Sequence, residues 1–173
     1  MAARDYWING ALLLVVAVFL GALLRPGDNA APTVGQRVPS FDLMGDDGSR
    51  IRLSDYRGKI LVVNFWATWC PPCVEEMPSL DRFQQMFANR GVEVLAVSVD
   101  EDENAYRSFL AQHKLRLKTA RDPGKKVSSL YGTFKYPESY ITDREGHLMQ
   151  KVVGPADWTE QRMLSLFQDL TSK

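Results

Sequence analysis

The sequence predicts an α/β fold in which helices flank a mixed β-sheet. Residues 59–66 (KILVVNFW) and 92–99 (VEVLAVSV) are near-continuous apolar runs rich in β-branched and aromatic residues, the pattern of strands covered on both faces. Between them, apolar residues recur every three or four positions, as on a helix that covers a sheet. This alternation favours parallel central strands, and a predicted hairpin near the C-terminal end adds antiparallel ones.

The composition is that of a globular protein with one folded domain. The chain has 173 residues, of which 45% are hydrophobic and 24% charged, enough for one domain with a real core. Its 21 lysines and arginines equal its 21 aspartates and glutamates, so the net charge is zero. A balanced charge argues against binding of nucleic acid by bulk electrostatics, and we expect no nucleic-acid partner.

In chain order, the first predicted element is a membrane segment. Residues 10–24 (GALLLVVAVFLGALL) are uncharged and apolar, a length that fits a cleaved signal or a retained anchor better than a buried core helix. No clear small-x-small cleavage site follows, and Tyr6 and Trp7 are typical of a membrane interface, so we favour retention. We therefore predict a membrane anchor (residues 1–27), a linker (28–37) and a soluble domain (38–173).

The charges that flank this segment favour neither orientation. Arg4 and Arg25 lie on its two sides, and each has an acidic residue nearby. A segment of this kind close to the N-terminus normally acts as an export signal. We therefore expect a single-pass protein of the cytoplasmic (inner) membrane, with the soluble domain on the extracytoplasmic, periplasmic side.

The soluble domain is predicted to open with a β-hairpin. Residues 41–44 and 51–53 are short apolar segments on either side of a turn cluster, Gly45-Asp46-Asp47-Gly48. The run at 59–66 should then lie in the middle of the sheet. The helix that follows carries an apolar stripe formed by Val74, Met77, Leu80, Phe83 and Phe87.

The rest of the domain is predicted to add helices, a short strand and a second hairpin. After the strand at 92–99, a helix is marked by Ala105, Phe109 and Leu110, and a short strand is expected at 115–117. A hairpin is expected from residues 139–142 and 147–153. Two further helices are predicted from their caps: one opens at Asp122-Pro123, and the last opens at a capping box of Asp157 and Glu160.

The motif that carries chemistry is a pair of cysteines, Cys70 and Cys73, separated by two prolines between a strand and a helix. A free cysteine with a pKa of about 8.5 is only about 3% ionised at pH 7, and the N-terminus of a helix favours the thiolate. We therefore predict that Cys70 is the nucleophile. Cys73, one turn further on the same face and more buried, would attack the mixed disulfide and release the product.

Two other roles for the pair are less favoured. A purely structural disulfide would close a very small loop and stabilise the fold little. A zinc site needs four ligands, and His113 and His147 lack paired spacing, although two thiolates could hold Cu(I). We expect no metal and no cofactor.

The segment VVNFWATWCPPCVEEMP, residues 62–78, resembles the active-site segment of thioredoxin-fold proteins and, within them, of the membrane-anchored TlpA/ResA/DsbE-like group. The resemblance extends over residues 38–170. It implies a thioredoxin-like mixed sheet flanked by helices, with an N-terminal β-hairpin, an inserted strand-helix and an N-terminal transmembrane segment. It also implies a thiol-disulfide oxidoreductase that exchanges disulfides with other proteins outside the cytoplasmic membrane.

The resemblance further implies the direction and the partners of the reaction. Members of this group often act as reductants in cytochrome c maturation, and we expect a reductase. Its partners would be protein thiols and disulfides, together with a membrane thiol-transfer protein that resets the dithiol.

Several site residues follow from the resemblance. The proline that matches Pro137 is cis in the family, lies against the dithiol and keeps metal from the thiols, while the residue that matches Tyr136 pairs its backbone with the substrate. Trp69 is expected on the substrate surface, whereas Trp66 is expected in the core. Glu138 matches the Pro-Glu pair of DsbE-like relatives, where it would tune the dithiol or face solvent.

Glu76 is the candidate proton acceptor for Cys73. Asn64 stands where plain thioredoxins carry a buried aspartate, and an amide cannot take a proton from a thiol. Glu76 matches a glutamate that ResA-like proteins place near the active site, and burial there would raise its pKa. Alternatively, Glu75 and Glu76 are two exposed acids that stabilise the first turns of the helix.

Two relatives of the fold give alternative functions. Peroxiredoxins carry a threonine three residues before the reactive cysteine and a proline seven before it, but this chain has Ala67 and Val63 there. A thiol-dependent peroxidase is therefore less favoured. A Cu(I)-binding or metallochaperone module is less favoured too, because copper-delivery relatives use a wider cysteine spacing and a histidine.

Overall fold

The computed structural model describes residues 31–172. The predicted anchor, residues 1–27, and the start of the predicted linker lie outside the described residues. Within 31–172 the strands are β1 (Asp42–Gly45), β2 (Arg50–Arg52), β3 (Ile60–Trp66), β4 (Val92–Ser98), β5 (Lys118–Arg121), β6 (Glu138–Thr142) and β7 (Leu148–Val153). The α-helices are α1 (Pro71–Phe87), α2 (Glu103–His113), α3 (Lys126–Leu130) and α4 (Gln161–Thr171), and short 3-10 helices lie at Leu53–Tyr56 and Ala88–Arg90.

The strands form one mixed sheet in the order β2-β1-β5-β4-β3-β6-β7. β3, β4 and β5 are parallel, whereas β6 runs antiparallel to β3 and β1 runs antiparallel to β5. The hairpins β1-β2 and β6-β7 lie at the two ends of the sheet. The predicted mixed sheet, both hairpins and the interior position of β3 are confirmed.

β3 carries a continuous apolar run because both of its faces are covered. Every residue of the strand is buried, and successive side chains alternate between two cores. We call these two sides the α1 face, where Val62 and Trp66 pack with helix α1, and the opposite face, where Val63 and Phe65 pack with Tyr131 and Tyr140. Burial of each large apolar side chain stabilises the fold by about 1.5 to 3 kcal/mol.

On the α1 face, the helix presents the predicted apolar stripe to the sheet. Met77, Leu80, Phe83 and Phe87 are buried there, and the Phe167 ring of α4 packs edge-on against Phe83 at 4.6 Å between centroids. Helix α4 therefore contributes to the same core as α1 and helps to hold the dithiol helix in place.

The short strand predicted around 115–117 is present as β5, but its predicted position is wrong by three residues, because β5 begins at Lys118. The backbone N–H groups of Arg116 and Leu117 donate to the carboxylate of Asp81 on α1, at 2.6 and 2.9 Å, and not to a neighbouring strand. The alternating leucines at 115 and 117 belong to a connection tied to a helix.

The starts predicted for the last two helices are also wrong, by three or four residues. Asp122 lies four residues before the first residue of α3, but its carboxylate still accepts hydrogen bonds from the N–H groups of Lys126 (2.9 Å) and Ser128 (2.8 Å) in the helix. Asp157 accepts the N–H and the hydroxyl of Thr159 in a turn, and α4 begins only at Gln161. Both aspartates therefore organise the turn that precedes the helix.

The end of the predicted linker is hydrogen-bonded to the β6-β7 hairpin. The backbone N–H of Gly35 donates to the carbonyl of Leu148 at 2.8 Å, and that of Val38 donates to the carbonyl of Gly146 at 2.9 Å. Among residues 31–172, no helix has both the length and the apolar character needed to cross a bilayer.

Candidate active site

The two cysteines lie at the junction between strand β3 and helix α1. Cys70 is the N-cap of α1, and the following two prolines occupy helix positions that need no backbone N–H partner. Cys70 and Cys73 form a disulfide with their Cα atoms 5.3 Å apart. The N–H of Cys73 donates to Sγ of Cys70 at 3.3 Å, so the first helical turn already points a donor at that sulfur.

The two cysteine residues differ in exposure in the predicted order. Cys70 is 6% exposed and Cys73 is 1% exposed. Because unpaired N–H groups and the positive end of the dipole lie at this end of α1, a thiolate at Cys70 is favoured there. The geometry fits Cys70 as the sulfur that meets a substrate and Cys73 as the sulfur that resolves the adduct.

Sequence reasoning missed a buried carboxylate that anchors the loop before the cysteines. Asp100 accepts the N–H of Thr68 at 3.0 Å, the Thr68 hydroxyl at 2.7 Å and the Ser98 hydroxyl at 2.6 Å. Thr68 lies two residues before Cys70, so this contact fixes the approach to the dithiol. The available signal was an acidic residue directly after the strand predicted at 92–99, at the edge of the sheet that bears the site.

Tyr136 and Pro137 reach the same edge because β6 runs antiparallel to β3. Phe65 pairs with Glu138 in the register, so Pro137 lies beside the end of β3 that leads to Cys70. The Tyr136-Pro137 bond is cis, as the resemblance implied. The Trp69 ring, 59% exposed, meets the Tyr136 ring edge-on at 5.9 Å. The structure thus places these candidate substrate residues together next to the dithiol.

Glu76 is buried, one turn beyond Cys73 on α1. It is 5% exposed, and its carboxylate accepts three hydrogen bonds from uncharged donors. The Trp158 indole donates to Oε1 at 2.7 Å, the Asn64 amide donates to Oε1 at 3.1 Å, and the Ala156 N–H donates to Oε2 at 3.0 Å. The interpretation of Glu76 as an exposed acid is therefore wrong, whereas Glu75 is exposed.

Burial raises the pKa of Glu76 from 4.5 to about 7, because desolvation outweighs the hydrogen bonds that favour the carboxylate. Asn64 also donates to the Ser139 hydroxyl at 2.9 Å, so the amide links Glu76 to strand β6. A cavity of about 350 Å³ borders Glu76 between α1 and residues 155–157. Glu76 thus combines a pKa near neutrality with a position at the border of a cavity.

Glu138 lies on the opposite face of the sheet and is fully buried. Its Oε2 accepts the Tyr140 hydroxyl at 3.0 Å and forms an ion pair with Nζ of Lys151, also at 3.0 Å. The interpretation that Glu138 faces solvent is therefore wrong. Lys151 was not identified from the sequence, since nothing in the sequence of the edge strand β7 distinguishes it from an ordinary exposed lysine.

The position that carries the threonine hydroxyl in peroxiredoxins has no hydroxyl in this chain. Ala67 is buried at the position of the peroxidatic threonine. The next residue, Thr68, donates its hydroxyl to Asp100.

The histidines are engaged elsewhere in the fold. His113 stacks on Phe109 with centroids 3.9 Å apart, and His147 pairs with Asp143 at 3.1 Å. Across residues 31–172, no group of three or more His, Cys, Asp or Glu side chains is placed to hold a metal ion.

Comparison with known proteins gives the same fold and the same chemistry. Residues 34–151 match the AhpC/TSA family. The thiol-disulfide oxidoreductase ResA of Bacillus cereus is 31% identical over 163 residues, which cover 92% of this chain and 93% of that protein. ResA of Geobacillus kaustophilus is 33% identical and covers 83% of this chain and 84% of its own length.

Solved structures agree with these relatives. The crystal structure of a putative thiol:disulfide interchange protein DsbE from Chlorobium tepidum superposes with a TM-score of 0.76 at 29% identity. The match covers 82% of this chain and 99% of that one.

Proposed function

This chain belongs to the AhpC/TSA family, and we propose that its Cys70–Cys73 pair acts as an extracytoplasmic reductase of protein disulfides. The chain is a thiol-disulfide oxidoreductase with a thioredoxin-like fold. The observation that carries the proposal is a dithiol at the N-terminus of α1, next to the exposed Trp69 ring and the cis Tyr136-Pro137 bond.

In the first step, the Cys70 thiolate attacks one sulfur of the substrate disulfide. A bond forms between Cys70 and that sulfur, the substrate S–S bond breaks, and the other substrate sulfur leaves as a thiolate that takes a proton from water. Trp69 contacts the substrate chain, and the backbone of Tyr136, fixed by Pro137, pairs with it.

In the second step, Cys73 resolves the mixed disulfide. Its thiol gives a proton to the Glu76 carboxylate, and the thiolate attacks Sγ of Cys70. The bond between Cys70 and the substrate breaks, and the second substrate sulfur leaves as a thiolate that takes a proton from water. Two electrons pass from the dithiol to the substrate, and Cys70 and Cys73 end as the disulfide. A carboxylate with a pKa of about 7 suits this transfer near neutral pH.

The proposed location and partners rest on the N-terminal sequence and on the resemblance of residues 62–78. Residues 1–27 would anchor the protein in the cytoplasmic membrane, with the soluble domain on the periplasmic side. A membrane thiol-transfer protein would reduce the Cys70–Cys73 disulfide again after each reaction. The process served would be cytochrome c maturation.

A trapping experiment tests the mechanism. Cys73→Ser leaves the nucleophile without a resolving thiol, so the full-length variant should accumulate a mixed disulfide between Cys70 and its substrate in cells. The matched control, Cys70→Ser, keeps one thiol but should trap far less. If a thiol-sensitive adduct does not form, or forms equally with both variants, the mechanism is wrong.

The direction is tested by redox titration against glutathione. A reductase should have a potential closer to the value of about −270 mV for thioredoxin than to about −120 mV for DsbA. A potential near the upper value would make the protein an oxidant.

A further inference from the structure

Lys151 on β7 connects strand β6 to the loop that leads to the cis proline. We call residues 132–136 the pre-proline loop. The Lys151 ammonium lies 3.0 Å from Oε2 of Glu138 and 3.4 Å from the carbonyl oxygen of Gly132, and it lies 5.1 Å from the centre of the Phe134 ring. One cation therefore contacts both the buried carboxylate after the proline and the loop before it.

The register of the sheet makes this position possible. Tyr140 pairs with Lys151, so their side chains share the opposite face of the sheet, and Glu138 lies two residues along β6 on the same face. A fully buried carboxylate needs a cation or several donors. Partial burial lowers the pKa of Lys151, but its interactions with Tyr140 and Glu138 raise it by more, so the ammonium form is favoured.

A second contact ties the same loop to the same cluster. The hydroxyls of Thr133 and Tyr140 are hydrogen-bonded at 3.1 Å, and the Tyr140 hydroxyl donates to Glu138. The pre-proline loop is thus held at three consecutive residues, Gly132, Thr133 and Phe134.

Phe134 is exposed although it is large and apolar. Its side chain is 78% exposed, the highest value among the exposed large apolar residues of the described chain, and its ring lies over the Lys151 ammonium. It precedes Tyr136 by two residues, and the Tyr136 ring contacts the exposed Trp69 ring. Phe134 is therefore an exposed aromatic residue in the same loop as Tyr136, two residues before it.

We propose that Lys151 is a positioning residue for substrate recognition: it holds the pre-proline loop so that Phe134 presents its ring to an extended polypeptide segment beside the substrate cysteine. This inference rests on the proposed function. The favoured partner carries apolar or aromatic side chains near its cysteine, because Trp69, Tyr136 and Phe134 offer aromatic contacts. A small disulfide without a polypeptide segment gains little from Phe134.

The test compares a protein disulfide with a small one. The full-length protein, reduced at Cys70 and Cys73, is reacted with insulin and with 5,5′-dithiobis(2-nitrobenzoate), and the two second-order rate constants are measured. Phe134→Ala and Lys151→Met should each lower the ratio of the insulin constant to the small-disulfide constant about fivefold. Lys151→Arg, which keeps the cation, should restore most of that ratio.

Lys59→Met is the matched control. Lys59 pairs with Glu93 at 2.8 Å near the start of β3, at the end of the strand away from the dithiol, so this variant removes the same charge elsewhere. Its ratio should equal that of the wild type. Since Phe134 is exposed, Phe134→Ala tests the proposal even if Lys151→Met does not fold.

The outcomes separate this proposal from the proposed function. If the wild type reduces both disulfides but the ratio of rate constants is unchanged in Phe134→Ala and in any folded Lys151→Met, the positioning role alone is overturned. A wild type that reduces neither disulfide overturns both. A selective loss of insulin reduction that Lys151→Arg reverses supports the positioning role.

Discussion

Two buried glutamates near the active edge of the sheet have contrasting surroundings. On the α1 face, Glu76 is bound by the neutral donors of Trp158, Asn64 and Ala156. On the opposite face, Glu138 is bound by the Lys151 ammonium and the Tyr140 hydroxyl.

The same fold therefore gives its two buried carboxylates different electrostatic surroundings. A carboxylate surrounded by neutral donors is desolvated without compensation by a cation, and its pKa rises into the range where it can exchange a proton. A carboxylate paired with an ammonium group gains Coulombic stabilisation and forms a structural tie. Glu76 is thus suited to proton transfer, and Glu138 to holding the pre-proline loop.

The largest expected effect comes from breaking the ion pair. Lys151→Met leaves Glu138 buried without its cation, and the free energy of unfolding should fall by about 3 to 5 kcal/mol. Glu138→Gln combined with Lys151→Met should recover much of this loss, since no charge is left buried. Denaturant unfolding of the oxidised protein measures both.

Lys59→Met is the control for this comparison. Its pair with Glu93 is partly exposed, so the loss should be about 1 kcal/mol or less. Equal losses for Lys59→Met and Lys151→Met would contradict the structural role given to the Glu138 pair.

The next largest effect concerns the pH dependence of stability. Since the pKa of Glu76 is raised from 4.5 to about 7, the folded protein binds this proton more tightly than the unfolded chain does. The resulting stabilisation is complete below about pH 4.5 and is lost as the pH rises to about 7, a change of about 3 kcal/mol. Glu76→Gln should remove this contribution, as measured by denaturant unfolding at several pH values.

The exposed neighbour provides the control. Glu75→Gln should retain the pH profile of the wild type, because Glu75 lies on the solvent side of α1. A Glu76→Gln profile parallel to that of the wild type between pH 4.5 and 7 would show that Glu76 does not titrate there.

The smallest effect concerns a single hydrogen bond. The Trp158 indole donates to Glu76 at 2.7 Å and lowers the pKa of Glu76 against the larger effect of burial. Trp158→Phe should therefore raise this pKa further, by about one unit, equivalent to about 1.4 kcal/mol. A carbon-13 NMR titration of the Glu76 carboxyl measures it. Trp69→Phe, a substitution at an exposed tryptophan, should leave the pKa of Glu76 unchanged. A pKa of Glu76 that is lower in Trp158→Phe than in the wild type would refute the role assigned to the Trp158 indole.

Much of the fold was predictable because its signals are local. β3 and β4 are covered on both faces, so their sequences are continuous apolar runs, and the two hairpins have turn residues between short apolar segments. The dithiol was predictable because Cys70 and Cys73 lie together at the start of a helix with a regular apolar stripe.

The parts that were missed depend on contacts between distant segments. Asp81 accepts hydrogen bonds from the backbone N–H groups of residues 116 and 117, so these residues do not belong to β5 and the strand begins later than predicted. Asp100 binds Thr68, which lies 32 residues earlier in the sequence. No local pattern encodes such pairs, because an isolated aspartate has the same sequence signature whether it caps a neighbouring turn or binds a remote loop.

Local sequence patterns were enough to predict the central strands β3 and β4, the two hairpins, the helix α1 and the dithiol motif, because periodicity and motif spacing act over a few residues. Long-range packing, in contrast, places neutral donors around Glu76 and a lysine ammonium beside Glu138. The surroundings of a buried side chain depend on segments that are distant in the sequence: Trp158 donates to Glu76 from 82 residues away, and Lys151 reaches Glu138 from a neighbouring strand. Desolvation by such neighbours raises the pKa of Glu76.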